Sequence, residues 1–332
     1  MSTEIFVISG FLGAGKTTLI QKLLSEAFHN EKVVLIENDF GDISVDAALL
    51  KSGDIEVKEM NSGCICCSLS GDFIKALKEL LERFQPDKII IEPSGVGKLS
   101  DIMKACSDPR ILSLAKVRSK FTVVDVKRCK MYLDNFGEFF EDQIQNADIV
   151  LLSRTEEFPE KVHAAEEVIK TLNPNAFIYE KPWIQINAAE ILSPHLDKPI
   201  RTGEHEYTEH CGCQCGQHSA HHHTEAHHDH DHNCTCGHNH VAEEIFDTLT
   251  IRTCHTFGME ELRAKVSHME KNATGTILRA KGIIRGQEGY MNLQYLPGDI
   301  RVTKCPTEGN ILCIIGQNLN KKELCALFGG EC

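Results

Sequence analysis

The chain has 332 residues, 42% of them hydrophobic and 25% charged, a composition that builds a core and excludes an intrinsically disordered protein. Its formal charge of -13, from 48 acidic and 35 basic residues, argues against a protein that grips a phosphate backbone, so no nucleic acid is expected as partner. No apolar run reaches the length of a membrane span, and residues 1–9 lack the basic region of a secretory signal, so a cytoplasmic location with reduced thiols and no membrane partner is expected.

In chain order, residues 4–9 form a short apolar strand that runs into a glycine-rich turn. Residues 16–28 then place Leu19, Leu23, Leu24 and Phe28 at helical spacing. Residues 33–36 and 55–60 are the next strands, and residues 73–84 repeat apolar side chains with a helix period. Residues 88–91, between Pro86 and Pro93, are a continuous apolar run of the kind a buried parallel strand requires. Residues 121–124, 149–152 and 176–179 are further strands, separated by helical stretches, notably 159–172. The alternation predicts an α/β fold over 1–197, a P-loop NTPase parallel sheet with helices on both faces.

Residues 198–243 break this pattern and divide the chain. Beyond them, 245–253 alternates as a strand and 258–270 has helical spacing. Residues 276–284, 291–295, 300–303 and 311–315 are closely spaced strands, and 321–328 is a closing helix. This predicts a small α+β domain over 244–332 with a mostly antiparallel sheet.

Residues 10–17, GFLGAGKT, match G-x-x-x-x-G-K-[ST] with a strand before and a helix after. Gly10, Gly13, Ala14 and Gly15 let the loop curl so that backbone N–H groups face phosphate oxygens, and the helix N-terminus adds partial positive charge. In that arrangement Lys16 reaches the β- and γ-phosphates, the Thr17 hydroxyl ligates Mg2+, and Thr18 caps the α-phosphate side. Residues 88–92 read as a Walker B strand ending in Glu92 instead of the usual Asp. Ser94 and Gly95 follow, where a backbone N–H senses the γ-phosphate. Glu37, Asp39 and Gly41 follow the second strand, where a first switch lies. The carboxyl ends of strands are where α/β sheets bind ligands.

Fifteen cysteines and seventeen histidines are the compositional anomaly. Cys64, Cys66 and Cys67 put three thiols within four residues, a density that suits soft or borderline ions such as Zn2+. Three ligands leave one position open for a carboxylate, a water or a partner's ligand, and an open site releases its metal. A second concentration lies between residues 205 and 240, with twelve histidines, five cysteines, no Lys or Arg, and -5 of the charge. Cys211, Cys213 and Cys215, then His221, His222, His223, His227, His228, His230 and His232, then Cys234, Cys236, His238 and His240 form a mixed imidazole–thiol tract. It is expected to be flexible and to take several ions weakly and in exchange. Cys313, inside the apolar run 311–315, reads as a small core residue.

Taken together, the chain resembles the CobW-type family of P-loop GTPases, relatives of the nickel-delivery GTPases that mature urease and hydrogenase. The resemblance rests on GFLGAGKTT at 10–18, ENDFG at 37–41, CICC at 64–67, EPSG at 92–95 and QIQNAD at 143–148, with the separate C-terminal domain and the His-rich linker. It implies a GTP-hydrolysing metallochaperone that passes metal to a metal-requiring client protein, with Lys16, Thr17 and Glu92 at the catalytic centre. It implies Cys66 and Cys67 as the foremost metal ligands, Cys64 as a third and Glu37 as a carboxylate ligand. A nucleotide- or metal-dependent homodimer follows by analogy.

One departure concerns the base: Ser153-Arg154-Thr155-Glu156 stands where the family has N-K-x-D or T-K-x-D. Here Glu156 takes the guanine contact from a longer arm and Arg154 packs its stem against the base, which implies guanine preference with relaxed use of ATP. Zinc is the expected cargo. The alternatives are a nickel or cobalt insertase, carrying Ni2+ or Co2+, and a metal-storage protein with a regulatory nucleotide site.

Overall fold

The computed structural model describes residues 2–37, 56–59, 72–192 and 242–331. Seven strands make up the first sheet: β1 (Thr3–Gly10), β2 (Val33–Glu37), β3 (Glu56–Glu59), β4 (Lys88–Glu92), β5 (Ala115–Asp125), β6 (Ile149–Ser153) and β7 (Phe177–Tyr179). They lie in the order β3-β2-β4-β1-β5-β6-β7, and every pairing is parallel.

Successive side chains of a strand point to opposite faces, so an apolar run feeds two cores at once. Phe6 and Ile8 of β1 pack with Leu19, Ile20 and Leu23 of the helix Lys16–Glu26, while Ile5 and Val7 pack on the other face with Phe73, Leu77 and Phe140. That second layer is built by the helices Asp72–Phe84, Leu99–Cys106, Cys129–Gln145 and Val162–Leu172. The expected α/β sheet covered on both faces is present. β5 begins earlier than the sequence suggested, because Ala115 pairs with Thr3 and the polar Lys116, Ser119 and Lys120 follow it into the ladder.

The second sheet has six strands: β8 (Asp247–Thr253), β9 (Thr276–Gly286), β10 (Gly289–Leu296), β11 (Asp299–Cys305), β12 (Ile311–Gln317) and β13 (Gly330–Glu331). Their order is β11-β10-β9-β12-β8-β13, and every pairing is antiparallel, as the sequence predicts for this domain. One face packs Ile251, Ala280, Leu293 and Ile314 under the helices Met259–Asn272 and Lys321–Phe328. The other turns toward the first domain.

Several groups stitch the two domains together. Leu278, Cys313 and Ile315 join the core of the first domain. The Arg128 guanidinium donates to the Pro297 carbonyl at 3.1 Å. Phe246, just after the short helix Ala242–Ile245, packs against Phe136 and Phe139 at ring-centroid distances of 5.5 and 5.2 Å. Among the described residues no helix is long and apolar enough to cross a membrane.

Candidate functional site: a cavity between two domains

The carboxyl ends of β1, β2, β4 and β6 open on a cavity of about 660 Å³ whose lining includes Gly13 to Thr18, Glu37, Glu92, Gly95 and Ser153. Its floor is the glycine-rich turn after β1. Gly15 has φ 113° and Gly13 φ 68°, left-handed values that favour glycine. Leu296 of the second sheet packs directly over Gly13, where a Cβ would stand 2.4 Å from its Cδ1. Gly15 directly precedes the helix Lys16–Glu26, so the unsatisfied N–H groups of that helix's first turn face the cavity, as anion binding requires. The Lys16 ammonium donates to the Gly10 carbonyl at 3.1 Å and lies 3.8 Å from Glu92 Oε1. Glu37 and Glu92 are register neighbours at the ends of β2 and β4, and Glu37 is buried. The Thr17 hydroxyl and the Glu92 carboxylate both line the cavity with Lys16, a pair of oxygen donors that suits a hard cation such as Mg2+.

The loop after β4 is held from behind. Ser94 is buried and its hydroxyl accepts from the Val96 N–H at 3.4 Å. Gln143, fully buried, donates through Nε2 to the carbonyls of Gly95 and Gly97 at 3.3 and 2.8 Å. Its backbone carbonyl accepts from the Thr122 hydroxyl at 2.6 Å. The motif at 143–148 thus fixes the loop that carries Gly95, a role sequence reasoning did not assign.

At the opposite end, the buried Ser153 hydroxyl donates to the Ala14 carbonyl at 2.6 Å and ties the strand end to the turn. Arg154 has φ 61°, a left-handed backbone unusual for a long side chain. It lines the cavity, and its guanidinium reaches Asp125 Oδ2 at 3.1 Å and Asp299 Oδ2 at 3.3 Å. Asp125 also pairs with Arg128 at 2.8 Å. Arg154 is therefore a bridge between the domains. Glu156 is exposed at the rim.

Trp183, the one tryptophan of the chain, was not foreseen. Its indole N–H donates to the Leu152 carbonyl at 2.7 Å, and a Cβ on Gly15 would meet its ring at 3.4 Å. A lone Trp after Pro182, just past the last strand of a ligand-binding sheet, was the signal that could have found it.

The other wall belongs to the second domain. Arg279, Lys281, Asn292, Gln294, Leu296, Asp299 and Arg301 line the cavity from β9, β10 and β11. Lys281 is 2% exposed. Burial pushes its ammonium down to about 8, a fall resisted by the nearby Cys313 and Glu37 and assisted by Lys16.

Asp39, Gly41, Cys64, Cys66 and Cys67 lie outside the described residues, as does the tract from Cys211 to His240. Among the described residues no group of three or more His, Cys, Asp or Glu is placed to hold a metal ion. Burial pushes the thiols of Cys106 and Cys129 up to about 12, which keeps both as protonated packing residues. Cys313 is buried as expected, and stands opposite Lys281 on the neighbouring strand.

The family described as CobW/HypB/UreG, nucleotide-binding domain, matches residues 4–180. A zinc chaperone named CobW from a Sinorhizobium species is 38% identical over 178 residues, covering 45% of this chain and 50% of that protein. The zinc chaperone YjiA of Escherichia coli is 32% identical over 183 residues, covering 53% of this chain and 56% of that one. The chain spans about half the length of the curated relatives it matches. The crystal structure of Zn(II)-bound YjiA GTPase from E. coli aligns with 99% of this chain and 98% of that one, at 17% identity and a TM-score of 0.42.

Proposed function

The chain belongs to the CobW/HypB/UreG family, and from that premise we propose that it is a nucleotide-driven metal carrier. It binds and hydrolyses GTP in the cavity, holds zinc at Cys64, Cys66 and Cys67 with Glu37 as a fourth ligand, and passes the metal to a client protein. The observation that carries this reading is the shared address of its two halves. Glu37 and Glu92 end adjacent strands in register, Lys16 lies beside Glu92, and the cysteine triplet follows in sequence after β3, the neighbour of β2. A change at the phosphates is therefore one strand away from a carboxylate ligand of the metal. The names of the relatives, zinc chaperones among them, support the choice of cargo.

Within the cavity, Lys16 and the N–H groups of the glycine-rich turn draw in the β- and γ-phosphates and balance charge as the terminal phosphoryl group leaves. Thr17 and Glu92 would hold Mg2+, which supplies charge neutralisation between those phosphates. Gln143 keeps Gly95 at the γ-phosphate side. Ser153, Arg154, Glu156 and Trp183 form the end that receives the base.

Equilibrium competition among Zn2+, Ni2+ and Co2+ against a chromogenic chelator, with and without Mg-GTP, tests the proposal. The expected result is one tight site per chain that prefers zinc, changes affinity with nucleotide, survives deletion of 205–240 and disappears in Cys66→Ser/Cys67→Ser. Affinities indifferent to nucleotide for every metal would sink the coupling. Absence of GTP turnover with all three metals would sink the enzyme.

A further inference from the structure

A purine offers a protein two flat faces and a polar rim. Guanine and adenine differ only at the rim. A site separates them sharply where its rim-reading groups are buried, because a buried group that the wrong base leaves unpaired bears the full cost of its desolvation. The motif at 153–156 does not meet that condition. The Ser153 hydroxyl gives its proton to the Ala14 carbonyl. The Arg154 guanidinium is held between Asp125 and Asp299. Glu156, the acid left to face a base, is exposed, so water satisfies it when the base does not.

The ring faces are better provided for. Trp183 and Ile184 line the same end of the cavity, on a single helical turn, Trp183–Gln185, that starts behind Pro182. The indole N–H is fixed on the Leu152 carbonyl, one residue before Ser153, and the far edge of the ring comes within 3.4 Å of where a Cβ on Gly15 would stand. The ring is therefore positioned between the strand end and the glycine-rich turn by the fold itself. Among the described residues three large apolar side chains stand exposed, Leu112, Phe177 and Ile184. Ile184 is the most exposed of them, at 88%, and of the three it alone lines the cavity. A single exposed isoleucine is ordinary on a protein surface. One that adjoins an anchored tryptophan on the lining of a cavity makes an apolar surface suited to a flat ring.

We propose that Trp183 and Ile184 hold the nucleotide by the faces of its purine, and that the cavity takes guanine and adenine nucleotides with affinities within about tenfold of each other. This rests on the reading that the cavity binds a nucleoside triphosphate with its base at the Ser153 end. Stacking is indifferent to rim chemistry, since every base has a π-face. What guanine preference there is comes from Glu156, and its exposure keeps that preference small.

The test is calorimetric titration of the full-length protein, with Mg2+, against non-hydrolysable analogues of GTP and of ATP. In the wild type the two affinities are expected to agree within about tenfold. Trp183→Ala should lose roughly tenfold to a hundredfold for both analogues alike, and Trp183→Phe should keep most of the binding. Ile184→Ala should lose about fivefold for both. Leu112→Ala, at an exposed side chain that is not on the cavity lining, leaves both affinities unchanged.

A wild-type guanine preference above that tenfold overturns the proposal, and so do unchanged affinities in a natively folded Trp183→Ala. If that variant does not fold, Ile184→Ala decides, because its side chain already stands in water, and unchanged affinities there overturn the proposal equally. Wild-type protein that binds neither analogue overturns the reading of the cavity as a nucleotide site. Wild-type protein that binds both, with affinities indifferent to Trp183 and Ile184, overturns only the role of the ring faces.

Discussion

One wall of the cavity is backbone and the other is side chain. On the first, a turn with Gly13 and Gly15 in left-handed conformations presents main-chain N–H groups at the start of a helix. On the second, Arg279, Lys281, Asn292 and Gln294 project from two strands of a separate domain. The backbone wall is complete whenever the first domain is folded, because its dipoles are fixed by the chain's course. The side-chain wall depends on the seam between the domains. Among the described residues that seam includes Leu278, Cys313 and Ile315 in the first domain's core, Leu296 over Gly13, Arg154 to Asp299, Arg128 to Pro297, and Phe246 in its aromatic cluster. The wall that the proposed function assigns to phosphate is thus the one that needs no second domain to form.

The largest effect should come from the lysine at the end of the turn. Lys16→Ala is expected to lower GTP turnover by about a hundredfold to a thousandfold, the loss typical of a preorganised group aimed at developing charge. Phosphate release measures it. A loss below about tenfold would mean that the second wall carries most of the phosphate binding, and the comparison would invert.

The seam comes next. Phe246 is 3% exposed and packs tilted against Phe136 and edge-to-face against Phe139 and, at 6.4 Å, Phe11 of the glycine-rich turn. Phe246→Ala should cost about 3 kcal/mol in urea unfolding and weaken nucleotide binding through the lost support of Phe11. Stability lost without any change in nucleotide affinity would show that the seam holds the domains together but does not position the turn.

Arg154→Ala is a smaller cut at the same seam. It removes the bridge to Asp299 and one of two arginines on the buried Asp125, which keeps Arg128 and the Lys127 N–H at 2.9 Å. Because Asp125 stays partnered, about 1.5 kcal/mol is expected, not the larger penalty of an abandoned buried charge. Since the pair is shielded from solvent, the loss should change little between low and moderate salt.

The two walls also differ in how far they can be read from the sequence, for a physical reason. The turn is eight consecutive residues whose chemistry needs no tertiary knowledge, and the strands around it are apolar runs that two cores require. The helix Cys129–Gln145 was harder to read, because non-helical angles at Phe136 (φ -138°, ψ 32°) interrupt its period. With that helix went the role of Gln143. Arg279 and Lys281 alternate with Leu278 and Ala280, the pattern of any strand with one face in water. A polar face that meets water and a polar face that meets a nucleotide cavity leave the same alternation. Only the packing of the second sheet against the first domain separates them.

The smallest effect is a signal and not an energy. Trp183 is the chain's sole tryptophan and sits at the base end, its indole anchored on Leu152 and its ring beside Gly15. Its emission should shift when either GDP or a triphosphate analogue binds, because both carry the base. Lys16→Ala should leave the size of that shift at saturation unchanged while moving its midpoint. If the amplitude itself falls in Lys16→Ala, the phosphate and base ends are not independent.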